Sequence, residues 1–152
     1  LGSGVIQLPG FEKGLEHIKA ERTFGSSRFD FYVEGCDGQK AFIEVKGVTL
    51  EEHGITRFPD APTERGVKHI HELVKALEQG FRTFVIFVIQ MQGVRYFEPN
   101  DETHAAFGQA LREAAKKGVR MLAYDCRVTE STMEIRQQVA VRLGPGTSKE
   151  LS

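Results

Sequence analysis

The stretch RTFVIFVIQM, residues 82–91, constrains this chain more than any other. It is almost continuously apolar and rich in β-branched residues. It is too short for an ordinary buried helix with its caps, so it reads as a central strand buried on both faces. The helix expected before it, over 63–79, carries Val67, Ile70, Leu73, Val74 and Leu77 at the spacing of one apolar helical face. Gly80 suits the position just past its end, and Asp60 or Thr63 its N-cap. A second helix is expected over 103–117, with Phe107, Ala110, Leu111 and Ala114 inward and Gly118 at its end. The buried strand VRMLAYD at 119–125 and an alternating edge strand at 133–143 come after it.

Upstream, three strands are expected at 16–24, 28–34 and 40–46, separated by the turns GSS and GCDG. Residues 47–62, rich in Gly and Pro, read as a loop, and VRYFEP as a short strand or an irregular turn. A strand meander leading into helix, strand, helix and strand implies an α/β fold with a mixed central β-sheet and flanking helices. Residues 1–15 form a weakly structured lead-in, 16–143 a single domain, and 144–152, GPGTSKELS, a disordered tail. The chain opens on Leu1 rather than Met, so a trimmed N-terminus is expected.

Composition narrows the function classes. A formal net charge of −1 argues against a long non-specific DNA-coating surface, though not against a local basic patch. Cys36 and Cys126 stand far apart and in no CxxC pattern, which disfavours a disulfide framework or a zinc site. No apolar run approaches the ~18 residues of a membrane span. A cytoplasmic, reducing setting is the expectation.

Chemistry is concentrated in FDFYVEGCDGQKAFIEVKGVTL, residues 29–50. In a hairpin turning near Cys36–Gly38, Asp30 and Glu44 come to lie nearly opposite each other, and Lys46 shares the face of Glu44. Two carboxylates and an ammonium at one place suit a hard divalent cation such as Mg²⁺, which takes oxygen ligands and lowers the pKa of bound water. The lysine would position that water or offset charge on phosphorus. The triplet alone carries no information. Random placement of the acidic residues and lysines gives about one Asp/Glu-x-Lys, and there is one. A solvated cross-strand Glu–Lys pair is the plain alternative.

The loop and helix after the triplet add weight. Arg65, Lys68 and His69 share one edge at the start of the first helix, where the dipole favours anions and a phosphate backbone would be well received. Glu64–Lys68 and Lys68–Glu72 pairing on the helix surface is the alternative. His69 and His71 do not share a face, so a helical zinc pair is not expected. Arg28 would orient a carboxylate or touch phosphate. Glu21 is a weaker candidate for a further ligand, balanced by its reading as a surface carboxylate. Asp60 in FPD comes after the triplet, the wrong order for the first acid of a metal site, and reads as a cap or loop anchor.

The segments FGSSRFDF, IEVKGVTL, FPDAPTERGVKHIHEL and GVRMLAY, in this order between residues 16 and 125, resemble the sugar fermentation stimulation protein A family. EVKGVTL and FPDAPTERG are the distinctive ones. The resemblance implies a restriction-endonuclease-like PD-(D/E)XK core, and an association with DNA binding and with regulation of sugar-utilisation genes. Asp30, Glu44 and Lys46 fall on the acid, acid and lysine positions. Members usually carry an upstream OB-like domain, for which this chain has no room. The helix leading into the first strand is reduced to LGSGVIQLPGF, and DETHAAF lacks an expected Asp-Pro. The leading expectation is a DNA nuclease dependent on Mg²⁺ or Mn²⁺, with Asp30, Glu44 and the Val45 carbonyl as ligands and Arg28, Arg65, Lys68 and His69 toward nucleic acid. Many enzymes of this fold pair as homodimers to cut two strands, although no dimer signature is visible. The rival expectations are a DNA-binding regulator of sugar-metabolism genes that keeps the fold without turnover, and a protein-interaction domain.

Overall fold

The computed structural model describes residues 8–11, 14–24, 27–144 and 150–151. Among these, eleven strands and two helices come in order: β1 (Leu15–Phe24), β2 (Ser27–Gly35), β3 (Lys40–Val48), β4 (Leu50–Glu52), β5 (Ile55–Phe58), α1 (Glu64–Glu78), β6 (Arg82–Ile89), β7 (Tyr96–Pro99), α2 (Ala105–Lys117), β8 (Arg120–Val128), β9 (Met133–Val139), β10 (Val141–Arg142) and β11 (Glu150–Leu151). They form a mixed α/β fold with two sheets. The six-stranded sheet has the order β1-β2-β3-β6-β8-β9, and the smaller one the order β11-β10-β7-β5-β4.

The apolar run at 82–91 is β6, at the middle of the larger sheet and parallel to β3 on one side and β8 on the other. Its side chains alternate between two cores. Val85, Phe87 and Ile89 join the helices; Phe84 and Ile86 join the opposite face. Five phenylalanines among the described residues are fully buried, including Phe87 stacked on Phe97 at 4.1 Å between centroids. Each contributes up to about 3 kcal/mol of transfer free energy before conformational entropy is subtracted.

The two flanking helices pack together on one face of the larger sheet. Ile70 and Leu73 of α1 and Phe107 and Leu111 of α2 lie in one cluster, on one face. On the other face, Leu8 and Phe11 of the lead-in are buried, with Phe11 edge-on to Phe84. The remainder of the lead-in, residues 1–7, 12 and 13, lies outside the described residues, as do 145–149 and 152 of the tail. Within the tail, Glu150–Leu151 pairs with Val141–Arg142.

Helix ends match the sequence closely. Thr63, not Asp60, caps α1, its hydroxyl accepting from the Gly66 N–H at 2.9 Å. At the far end Gly80, at φ +98°, lets the Phe81 N–H reach the Ala76 carbonyl and its own N–H reach Leu77. Gly118, at φ +119°, does the same for α2 with Ala114 and Ala115. These paired closures turn each helix directly into the parallel strand that comes next.

Two local expectations need correction. Residues 47–62 are not a plain loop, because β4 and β5 pair there and β5 runs parallel to β7. The edge strand expected over 133–143 breaks at Ala140: β9 stays with β8, while β10 crosses to β7 in the smaller sheet.

Candidate active site

The β2–β3 ladder runs in register from Glu34↔Lys40 to Phe31↔Ile43, so its next step brings Asp30 beside Glu44. Regular pairing stops there, because the Asp30 carboxylate takes the role of a strand carbonyl. Its Oδ2 accepts the Val45 N–H at 2.7 Å. The alternation of β2 breaks at the same point. Phe29 and Tyr32, three apart, both enter the helix-side core, whereas Phe31 packs on the opposite side. Across the sheet, Glu21 of β1 falls at the register position facing Asp30, with φ +54°. A non-glycine residue in that left-handed region is uncommon, and such strain gathers at functional sites. Glu21 itself is exposed.

Glu44 points under α1 and is 3% exposed. Its Oε2 lies 2.9 Å from Lys46 Nζ and 2.5 Å from His69 Nδ1. Its Oε1 is buried without a hydrogen-bond partner among the described residues. Burial pushes Glu44 toward the neutral acid, but Lys46 and His69 outweigh it and hold the carboxyl below its ordinary range. Asp30 moves the other way. Burial, joined by the charge of Glu44, raises its carboxyl in spite of the Val45 N–H and Lys46.

The four basic residues expected to meet nucleic acid come together. Arg28, Arg65, Lys68 and His69, with Ser27 and Glu64, line one open cleft of ≈ 650 Å³. The expectation for His69 needs refining, since its ring is buried, edge-on to Phe29 at 6.0 Å, and bonded to Glu44. It stands where the basic cleft meets the carboxylates. The sequence carries a signal for this, because His69 lies three residues after Gly66 and four before Leu73, on the inward stripe of α1. Ser27 has no comparable signal, since GSS looks like any other turn.

Among the described residues no group of three or more His, Cys, Asp or Glu side chains gathers as a metal-ligand cluster, so Glu21 does not complete one. Asp30 and Glu44 nonetheless fit a hard cation that keeps several waters. They are two adjacent carboxylates, and one buried oxygen has no donor among the described residues.

The opposed shifts give a prediction that needs no metal. A carboxyl raised in the fold contributes stability below its unfolded pKa, and this is lost as pH rises through the folded value. At neutral pH the Asp30 charge therefore costs stability. Asp30→Asn keeps an acceptor for Val45 and should raise the melting temperature in EDTA at pH 7.5 by about 2 °C, a small effect because Asp30 is partly solvated. Near pH 4 the gap should close. A lower melting temperature for the variant at pH 7.5 would contradict this account.

Comparison with known proteins gives a consistent picture. The family model described as the sugar fermentation stimulation protein RE domain matches residues 3–132. A sugar fermentation stimulation protein homolog of Desulfitobacterium hafniense (strain Y51) is 56% identical over 137 residues, covering 90% of this chain and 60% of the relative. A homolog from Ruminiclostridium cellulolyticum is 57% identical over 130 residues, covering 86% of this chain and 57% of that protein. The solved structure described as Pyrococcus furiosus SfsA in complex with Ca²⁺ superposes with a TM-score of 0.80 at 31% identity, over 89% of this chain and 58% of that one. The chain thus spans about three-fifths of the length of the relatives it matches. No helix among the described residues is long and apolar enough to cross a membrane.

Proposed function

The chain belongs to the sugar fermentation stimulation protein family, and from that premise we propose that it is a divalent-metal-dependent phosphodiesterase acting on DNA, built on a restriction-endonuclease-like core. One observation carries the reading: Glu44 is buried beside Asp30 with an oxygen that no donor among the described residues satisfies. A buried ionised carboxylate is costly unless its oxygens are paired, and a cation would complete it. The Pyrococcus furiosus protein is described as a Ca²⁺ complex. Calcium takes the same oxygen donors as Mg²⁺ or Mn²⁺, which we propose as the working ions, held by Asp30, Glu44 and the Val45 carbonyl.

When bound, such an ion supplies an acidified water and polarises a phosphoryl oxygen. The chain's own groups do the rest. Lys46 keeps Glu44 ionised and places a positive charge where negative charge grows on the phosphate. His69 fixes the orientation of the Glu44 carboxylate from behind. Arg28, Arg65 and Lys68 receive the strand through its phosphates, at the start of α1.

The test is cleavage of plasmid and single-stranded DNA in Mg²⁺ or Mn²⁺. Lys46→Ala should lower the rate by about 10²–10³-fold, as for loss of other charge-stabilising groups. Full activity in that variant removes Lys46 from the mechanism. A second reading draws on the closed contacts at Glu44 Oε2, already taken by Lys46 and His69. It is a DNA-binding regulator of sugar-metabolism genes that keeps the fold without turnover. Salt-dependent binding with no cleavage over many substrates would select it.

A further inference from the structure

We infer that the cleft between the start of β2 and the first turns of α1 is a phosphate subsite separate from the carboxylate centre, with the Ser27 hydroxyl as one of its ligands. The inference rests on the phosphodiesterase reading and specifies which part of the strand this side of the site would hold.

Ser27 is 2% exposed, and its Oγ is buried with no hydrogen-bond partner among the described residues. An orphaned hydroxyl in a protein wall is costly and calls for an explanation. Ser27 is one of the residues that line the open cleft of ≈ 650 Å³, together with Arg28, Arg65 and Lys68. Three cations and one carboxylate, Glu64, stand in the lining of that cleft. The balance favours an anion, and the helix start adds its dipole in the same sense. A tetrahedral phosphate presents acceptor oxygens in several directions, so one oxygen can take the serine proton while others meet the guanidinium forks.

The cleft is walled by His69, whose Nδ1 is bonded to Glu44. A phosphate held here therefore lies beside the carboxylate centre, not between its ligands. It would be the neighbour of the phosphate handled at Asp30 and Glu44, and its binding would not require a metal. Two sources share the chemistry: an internal phosphodiester and a terminal phosphomonoester.

The full chain in EDTA, titrated calorimetrically with inorganic phosphate, should show saturable binding. Ser27→Ala should weaken it about tenfold, as expected for a hydrogen bond to a charged group. Arg65→Gln, a change at an exposed helix position, should weaken it at least as much, and Lys116→Gln, an exposed cation in the last turn of α2 outside the cleft, should leave it unchanged. Single-stranded tetrathymidylate with and without a 5′-phosphate then separates the sources. Preference for the phosphorylated form assigns a strand end, equal affinity assigns an internal phosphate, and either supports the subsite. Absence of saturable phosphate binding, or binding that neither Ser27→Ala nor Arg65→Gln weakens, overturns it. Phosphate binding without any metal-dependent cleavage would leave the subsite standing and remove the phosphodiesterase reading.

Discussion

Glu44→Gln should reduce metal-dependent DNA cleavage by about 10³-fold or more while DNA binding persists. Glutamine matches glutamate in size, so the packing beneath α1 survives and the loss is one of charge. The amide offers the site a single neutral oxygen and sets a donor among the existing donors Lys46 and His69. A neutral side chain holds a hard cation poorly and leaves the Lys46 ammonium, 15% exposed, without its counter-charge. The same substitution has a stability signature opposite to that of Asp30→Asn. A carboxyl lowered in the fold contributes stability above its unfolded pKa, and this is lost as pH falls through the folded value. The variant should therefore melt lower than the parent at pH 7.5, with the gap closing under acid conditions. Plasmid cleavage in Mn²⁺, read beside thermal melts across pH, tests both halves. Cleavage within about tenfold of the parent would sink the assignment of Glu44, since loss of such a group costs far more. Matching pH trends for Glu44→Gln and Asp30→Asn would sink the account of their opposed environments. Neighbouring carboxyls driven apart in this way are the usual arrangement of sites that divide roles between two acids.

Much of this architecture is legible in the sequence because it comes from short-range rules. The apolar run of β6, the periodic face of α1 and the closing glycines Gly80 and Gly118 act within a few residues of themselves. The proximity of Asp30 and Glu44 comes from hairpin arithmetic and is met by the register that ends at Phe31↔Ile43. The features that escape a sequence reading depend on distant partners. Three- and four-residue strands such as β4 and β5 are too short to show a period, and Ile55 finds its neighbour at Tyr96, far along the chain. The inward turn of Phe29 escapes because strict alternation fails where the Asp30 carboxylate interrupts it. The imidazole of His69 beside Arg65 and Lys68 suggests a phosphate contact, whereas its helical phase places it on Glu44. Ser27 becomes visible only once the cleft is closed by α1, an element that begins 37 residues later in the chain.

Asp125→Ala should destabilise the protein by about 3–4 kcal/mol, although Asp125 carries no signal beyond being an acid in an apolar strand. It is fully buried in β8, and three groups converge on it. Oδ1 accepts the Gln137 N–H at 2.9 Å, while Oδ2 accepts the Gly93 N–H at 3.3 Å and faces Arg136 at 3.1 Å. The β8–β9 register slips by one residue between Tyr124 and Cys126, and the Asp125 carboxylate fills the acceptor position that the slip leaves empty. Asp30 uses the same device toward Val45 on the other side of the sheet. Alanine would strip an acceptor from two backbone N–H groups, at up to about 1–3 kcal/mol each and less where water reaches the partly buried donor. The lost Arg136 pair adds little, because that side chain is partly solvated. Asp125→Asn, which keeps one strong acceptor, should cost about half as much. Urea denaturation of the two variants separates these costs, with an unchanged slope showing that the unfolding reaction itself is the same. If alanine and asparagine cost the same, the charge rather than the two N–H bonds holds β9 to β8, and the parallel with Asp30 fails.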